Sequence, residues 1–307
     1  MELSIIIPIY NEEGNINLLY ERVSKVAQGI TADYELVFIN DGSRDNSLAM
    51  IIALANKDQH VRYINFSRNF GHQIAVTAGI DHCSGEAVAI IDADLQDPPE
   101  LIVELYNKMN EGYQVVYARR RSRSGESFMK KFTAKMFYRI LAKITSIKIP
   151  VDTGDFRIMH RKIIDVLKQM PEQQKYLRGQ IAWAGFNQTY ILYDRDERHA
   201  GSTGYTYKKM IRFALDGITG FSNLPLKFAT FAGFIVSGVT FLVSLYALYA
   251  RFVAKDYVPG WTSLILAVLF IGGVQLISIG IIGEYMSRMS ANVRNRPLYI
   301  KESDNIS

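Results

Sequence analysis

The sequence predicts an α/β fold with a mostly parallel sheet, followed by a pair of apolar helices, and three observations carry that prediction. Apolar runs of strand length alternate with amphipathic stretches of helix length from Leu3 to Ala118. Polar clusters follow each of the first four strand-like runs. After Lys227 the composition changes, with no charged residue from Phe228 to Ala250 and none from Tyr257 to Gly283.

Leu3 to Ile9 reads as a buried strand, Asn15 to Gln28 as an amphipathic helix and Tyr34 to Ile39 as a second strand, a βαβ unit of ordinary length. The pattern continues with helices over Asn46 to Asn56, Gln73 to His82 and Pro99 to Asn110, and strands over Val61 to Asn65, Ala87 to Ile91 and Gln114 to Ala118. Such alternation gives a largely parallel sheet covered on both faces, with ligands at the carboxyl ends of the strands. Asn11 and Glu12 sit at the first such end, Asn40 to Ser43 at the second, Ser67 to His72 at the third and Asp92 to Asp97 at the fourth. Each cluster alone is ordinary turn chemistry. Four at one edge mark a site. The chain has neither G-x-G-x-x-G nor G-K-[ST], so phosphate is left to a metal and basic side chains.

The fourth cluster is the most telling. In extended backbone Asp92, Asp94 and Gln96 project to one side, two carboxylates and an amide oxygen suited to Mg²⁺ or Mn²⁺. The like charges of Asp92 and Asp94 need a cation or solvent to coexist. The same residues also suit the cap of a helix starting near Pro98 and Pro99, and both readings can hold together.

The 307 residues are 49% hydrophobic and 21% charged, with net charge +5, enough for a substantial core. Much of the positive charge lies in Arg119 to Arg123 and the lysines from Lys130 to Lys148. A helix with Phe128, Phe132, Met136, Ile140 and Ile144 at every fourth position, and basic residues on its other faces, fits a membrane interface; packing on the protein core fits its pattern equally. No recognised nucleic-acid-binding motif accompanies the charge. Cys83 is the one cysteine, which excludes an internal disulfide, and the five histidines have no zinc spacing. The N-terminus carries no cationic leader and is too strand-like for a secretory signal. Asp152 to Arg157, after Pro150, reads as a loop at a site or as a turn before a helix from Arg161 to Met170, and Arg198 to Tyr205 as another polar, glycine-containing loop, suited to clasping a phosphate or to linking domains.

Each uncharged stretch after Lys227 exceeds the roughly 20 residues that cross a bilayer, so together they read as a two-helix hairpin. Lys208, Lys209, Arg212 and Lys227 precede it, and Arg288, Arg294, Arg296 and Lys301 follow it. That basic excess puts both termini and the sheet domain in the cytoplasm, at the inner (plasma) membrane of the cell. The organisation expected is a catalytic domain over 1–206, interface helices over 207–227, transmembrane helices over 228–283 and a cytoplasmic tail over 284–307. A divalent-cation site held against a bilayer suits a phosphorylated soluble substrate, such as a nucleotide sugar, meeting a lipid one, such as a polyprenyl phosphate.

Five motifs then carry a resemblance: Ile7-Pro8-Ile9-Tyr10-Asn11-Glu12, Asn40-Asp41-Gly42-Ser43, Arg68-Asn69-Phe70-Gly71-His72, Asp92-Ala93-Asp94-Leu95-Gln96-Asp97-Pro98-Pro99 and Gly154-Asp155-Phe156-Arg157. In this order they resemble the polyprenyl-phosphate glycosyltransferases, GT-A enzymes of glycosyltransferase family 2 that include dolichol-phosphate mannose synthase and bacterial bactoprenol glucosyltransferase. Gly283-Glu284-Tyr285 and Asn295 to Tyr299 are similar to the tail of the bacterial branch. The resemblance implies a Rossmann-like GT-A domain and inverting, metal-dependent transfer of one sugar, UDP-glucose being the first choice of donor, to polyprenyl phosphate. It implies that Pro8, Tyr10, Glu12, Asp41 and Asp92 hold the nucleotide, and that Asp92, Asp94 and Gln96 surround the metal. Arg119, Arg121, Arg123, Arg198 and Ser202 then approach the lipid phosphate, and Asp94, Asp155 and Arg119 are the catalytic candidates. Dolichol-type relatives usually carry Asp-Asp-Gly-Ser where this chain has Asn40-Asp41.

A downstream flippase and a second glycosyltransferase follow as expected partners, and the tail after Gly283 is long enough to reach a neighbouring subunit of a homo-oligomer. A processive polysaccharide synthase would carry Q-x-x-R-W, whereas Gln180-Ile181-Ala182-Trp183 lacks the arginine. A silent nucleotide-binding scaffold would have no reason to keep Asp92 and Asp94 together.

Overall fold

The computed structural model describes residues 1–121, 153–194, 224–249, 253 and 260–306. The basic helix expected over 128–144, the loop 198–205, Arg123, Arg198, Ser202 and most of 207–227 lie outside the described residues.

The chain begins as alternating strands and helices: β1 (Leu3–Ile9), α1 (Ile16–Ile30), β2 (Tyr34–Asn40), α2 (Ser47–Ala55), β3 (Val61–Phe66), α3 (His72–His82), β4 (Ala87–Ile90), α4 (Leu101–Asn110) and β5 (Val115–Arg120). It continues through β6 (Thr153–His160), α5 (Arg161–Lys168), α6 (Leu177–Trp183), β7 (Gln188–Tyr193), α7 (Leu224–Tyr249), α8 (Trp261–Arg294) and β8 (Lys301–Asp304). The strands form one sheet in the order β7-β5-β6-β4-β1-β2-β3-β8. β1 pairs in parallel with β2 and β4, β2 with β3, and β5 with β7, whereas β6 and β8 run antiparallel to their neighbours.

All seven residues of β1 are buried because helices cover both faces of the sheet. Leu3, Ile5, Ile7 and Ile9 face the side on which Leu19 and Val23 of α1 and Ile102 and Leu105 of α4 pack. Ile6, Val37 and Ile39 face the other side, under α3 and Ile163, Ile164 and Leu167 of α5. This is the period-two alternation of a strand, and each such buried side chain stabilises the fold by about 1.5–3 kcal/mol. Gly79 lets α3 lie close on the sheet, since a Cβ there would strike Ile6 Cγ2 and come within 3.0 Å of Ile39 Cδ1.

Two expectations need correction. Asp152 to Arg157 is neither a loop nor a turn, because from Thr153 the chain forms β6, which inserts between β4 and β5 and carries Asp155. Phe156, Ile158 and Met159 are fully buried there, so burying them outweighs the turn preference of the Thr-Gly-Asp sequence. The second is the extended run through Asp92 to Gln96. β4 ends at Ile90, residues 93 and 94 turn, and Leu95 takes a left-handed φ of 57°, so side chains after Asp92 do not alternate as on a strand.

α7 and α8 contain 26 and 34 residues, about 39 and 51 Å at roughly 1.5 Å per residue. They pack against each other. Their apolar windows, Leu224–Val243 and Phe270–Arg294, have mean hydropathies of 1.8 and 1.3, and neither is buried in the protein. Phe228, Phe231, Phe234 and Phe241 are 63–74% exposed. A core helix of a soluble protein would be covered, so these two suit the interior of a bilayer.

Residues 284–306 continue α8 and then return to the sheet of their own chain. α8 stops at Asn295, whose left-handed φ of 44° caps the helix, with Pro297 just beyond. Tyr299 then stacks on Phe66 at 5.0 Å and donates its hydroxyl to Asp81 Oδ2 at 3.2 Å. Ser67 N donates to Ile300 O at 3.0 Å, and β8 pairs with β3.

Candidate active site

The carboxyl ends of β1, β2 and β3 are tied to one another. Asn11, at φ 55°, donates its N–H to Ser43 Oγ at 3.0 Å and accepts Arg44 N at 2.8 Å. Glu12 N donates to Ser47 Oγ, and the Glu12 carboxylate accepts Asn15 Nδ2 at 2.6 Å. Asp41 is 3% exposed, and its two oxygens accept the backbone N–H groups of Phe70 at 2.6 Å and Gly71 at 2.9 Å. Burial pushes the Asp41 carboxyl up, against the pull of those two amides. Gly42, at φ 65°, passes so close to the third loop that a Cβ would stand 2.5 Å from Arg68 C. The interlock encloses a cavity of about 320 Å³ lined by Tyr10, Asn40, Ser43, Asn65 and Arg68, among others. Tyr10 is 45% exposed beside it, whereas Pro8 is buried within β1.

An acidic centre follows β4. Asp92 Oδ1 is buried without a hydrogen bond, and His72 Nε2, at the first turn of α3, stands 3.6 Å away. Burial pushes the Asp92 carboxyl up to about 6; His72 opposes the rise, and the negative charges of Asp155, Asp97 and Asp94 add to it. Asp94 is 8% exposed and accepts Gln96 N at 3.2 Å, a bond within the turn. Among the described residues no three acid, histidine or cysteine side chains converge as a ready-made metal cage. The acids Asp92 and Asp94, with Gln96 at the end of the turn, are the oxygen donors this edge offers.

Asp155, on β6, is saturated. Its Oδ1 takes Arg157 at 2.8 Å and Arg178 Nε at 3.2 Å, and its Oδ2 takes His72 Nε2 at 3.0 Å and Gln73 Nε2 at 3.2 Å. Burial alone would raise the Asp155 carboxyl, but Arg178, His72 and Arg157 hold it well below the usual carboxylate range. Burial alone would lower His72, and Asp92 and Asp155 instead raise it to about 9, so its imidazole is a cation at neutral pH. Asp155 therefore positions three cations and is no proton acceptor.

The basic run divides by strand alternation. Arg119 stacks its guanidinium over the Tyr190 ring at 4.8 Å, and exposed Arg121 pairs with Asp194 at 3.3 Å. Arg120 points elsewhere, 3.4 Å from the Tyr193 hydroxyl, which donates in turn to fully buried Asp97. That short chain pins the end of the acidic turn to β5 and β7.

His72, Gln73 and Arg178 join the site without having been assigned a role from the sequence. His72 lies in a motif already marked at the third strand end. Arg178 sits 23 residues beyond Asp155, and no local pattern signals it.

Comparison with known proteins agrees with this geometry. Residues 4–167 match the family described as glycosyl transferase family 2. An uncharacterized glycosyltransferase of Synechocystis sp. is 49% identical over 300 residues, covering 98% of this chain and 94% of the relative. An SfII prophage-derived bactoprenol glucosyl transferase of Shigella flexneri is 41% identical over 300 residues, covering 98% of this chain and 97% of the relative. The crystal structure of glucosyl-3-phosphoglycerate synthase from Mycobacterium tuberculosis, in complex with Mn²⁺, UDP-glucose and phosphoglyceric acid, shares the fold with a TM-score of 0.51 at 18% identity, covering 71% of this chain and 77% of that one. With its GT-A sheet, its acidic turn after β4 and these relatives, the chain belongs to glycosyl transferase family 2.

Proposed function

We propose that this protein transfers a single sugar, glucose from UDP-glucose in the first instance, to a polyprenyl phosphate at a membrane surface, with inversion at the anomeric carbon. One observation carries the reading: a cavity and an acidic centre share a sheet edge in a chain whose two longest helices are apolar and uncovered. Relatives named bactoprenol glucosyl transferases align along nearly the whole chain and support the same pair of substrates.

The acidic centre fits a divalent cation. Asp92 Oδ1 is buried without a hydrogen bond, burial pushes its carboxyl up with Asp155, Asp97 and Asp94 adding to the rise against His72, and the donors are hard oxygens. Asp92 and Asp94, with Gln96, would hold Mg²⁺ or Mn²⁺. Bound there, the cation neutralises the charge that develops on the nucleoside diphosphate leaving group.

The other residues bind and orient. Tyr10 offers an exposed ring beside the cavity as a surface for the base. His72, fixed by Asp155, contributes a positive charge 3.6 Å from Asp92. Arg119, held over Tyr190, and Arg121, just past the end of the same strand, supply the lipid-phosphate side, together with Arg123, Arg198 and Ser202. A lipid phosphate has a second pKa near ~6 by analogy with phosphorylated side chains, so it arrives as an anion and needs no strong general base. The saturation of Asp155 accords with that, and the rate then comes mainly from holding the two substrates in line. The basic residues at the outer ends of the apolar stretches, Lys227 before and Arg288, Arg294 and Arg296 after, support an orientation with the sheet domain on the cytoplasmic side of the inner membrane.

The test is transfer of label from a panel of radiolabelled UDP- and GDP-sugars to undecaprenyl phosphate in detergent, read as radioactivity entering the organic phase. Transfer of one sugar from one donor is the expected result. No transfer from any donor while nucleotide still binds would replace this reading with a silent binding protein.

A further inference from the structure

One arginine at the sheet edge is held in place by two other elements. Arg178 is the second residue of α6, and its Nε donates to Asp155 Oδ1 of β6 at 3.2 Å. Gln73 of α3 braces the same corner: its Nε2 donates to Asp155 Oδ2 at 3.2 Å, and its Oε1 accepts Leu177 N, next to Arg178, at 3.3 Å. Asp155 does not need this arginine for its own burial, because Arg157, His72 and Gln73 already supply hydrogen bonds to both of its oxygens. The two arginines on it differ in access. Arg157 is sealed at 1% exposure, whereas 21% of the Arg178 side chain is exposed. A guanidinium fixed by a carboxylate and still open to solvent is preorganised for an anion.

The strand order indicates which anion. The cavity is lined from the carboxyl ends of β1, β2 and β3, and the acidic turn follows β4. β6 and β5 lie beyond β4, on the other side of that turn from the cavity. Asp155 is on β6, and His72 Nε2, 3.0 Å from Asp155 and 3.6 Å from Asp92, joins it to the turn. Tyr117, two residues before Arg119 on β5, packs on the face that also receives Leu177 and Ile181 of α6, so Arg119 and Arg178 belong to one face of the sheet. In an inverting displacement the acceptor oxygen attacks the anomeric carbon opposite the bond that breaks, and the electron pair of that bond leaves on the nucleoside diphosphate. With the diphosphate between the cavity and the acidic turn, the acceptor comes in from the side of β6 and β5.

We propose that Arg178 binds the phosphate of the acceptor, beside Arg119, and holds it facing the sugar. The proposal rests on the reading that the acceptor is a polyprenyl phosphate. Such a phosphate brings charge and several acceptor oxygens, and a guanidinium meets them with paired, charge-assisted hydrogen bonds. Asp155 and Gln73 then act through Arg178, as positioning residues for the acceptor.

The experiment is steady-state transfer by the full chain in detergent, from UDP-glucose with Mn²⁺, to undecaprenyl phosphate and to the short, soluble geranyl phosphate. Wild type, Arg178→Gln and Arg178→Lys are compared, and each is also titrated calorimetrically with UDP. Arg178→Gln should raise the KM of both acceptors by about tenfold or more, the weight of a hydrogen bond between charged groups. The KM of UDP-glucose and the affinity for UDP should hold. Arg178→Lys keeps the charge without the planar fork and should fall between the two. If Arg178→Gln melts too low to assay, Arg178→Lys decides, by a raised acceptor KM at wild-type UDP affinity. Wild-type acceptor KM in the variants would overturn the proposal, as would UDP affinity that falls in parallel. A loss confined to undecaprenyl phosphate would assign Arg178 to the lipid chain and overturn it too. A wild type that transfers to neither acceptor from any UDP- or GDP-sugar would overturn the substrate reading, and this proposal with it.

Discussion

β1 and α7 are both long apolar runs, and they end in opposite surroundings. Every residue of β1 is buried beneath helices of its own chain, whereas Phe228, Phe231 and Phe234 of α7 are about two-thirds exposed or more. The sheet domain closes on itself and packs the loops of the site tightly, with no room for a Cβ between Gly42 and Arg68. The helix pair leaves its apolar surface for a partner outside the protein. Chemistry and location are therefore assigned to different parts of one chain, and substitutions should separate them.

The largest expected effect lies in the acidic turn. Asp94→Ala removes one of the two acids proposed to hold the metal and should lower sugar transfer by at least about 10³-fold, equivalent to roughly 4 kcal/mol of barrier. It should leave membrane association intact, measured by flotation with vesicles, because Asp94 lies in the turn after β4 and not in α7 or α8. Loss of flotation would mean that the two regions are not separable.

Asp155→Asn should come next. Its carboxylate is 13% exposed and serves Arg157, which is 1% exposed, as well as Arg178 and His72. Breaking a buried pair of this kind costs about 3–5 kcal/mol, so thermal melting of the sheet domain should fall markedly together with transfer. Wild-type melting would contradict the positioning role.

Phe234→Asp sharpens the comparison from the other side. Phe234 is 74% exposed within the apolar window of α7. A carboxylate near the middle of a spanning helix costs about 2.5–3.5 kcal/mol on insertion. Flotation and transfer to undecaprenyl phosphate should both drop while nucleotide binding holds, and unaltered flotation would count against α7 as a spanning helix.

Gly79→Val acts only within the core. The added side chain meets Ile6 and Ile39, so stability should fall by about 1–3 kcal/mol, read in the melting temperature, without altered membrane association. Smallest of all is the response of Cys83, which is 4% exposed and whose thiol burial pushes up to about 11. At pH 8 only about one molecule in a thousand carries the thiolate there, so a thiol reagent should label the folded chain slowly and the denatured chain fast.

What could be read from the sequence follows the same division. The strands from Leu3 to Ala118 were legible because their apolar residues alternate between two covered faces, and the apolar helices because nothing charged interrupts them. β6 was hidden by Asp155 and Arg157, charges that read as a surface loop until the fold pairs them with each other. β8 was hidden because Lys-Glu-Ser-Asp is an edge sequence whose strand character comes only from the ladder with β3. The turn after Asp92 depends on the left-handed Leu95, which its side chain does not announce. Asp92, Asp94 and His72 were all in marked motifs, but the charge on His72 depends on Asp155 and Arg178, which arrive from distant segments.

The most direct test of the central claim is a metal titration of lipid glycosylation. The purified chain, stripped with chelator, would be given radiolabelled UDP-glucose and undecaprenyl phosphate, and label in the organic phase followed as Mg²⁺ or Mn²⁺ is restored. Transfer that is absent without cation, returns with it, and does not return in Asp94→Ala is the predicted result. Full transfer by the stripped protein, or its recovery in Asp94→Ala, would contradict the account.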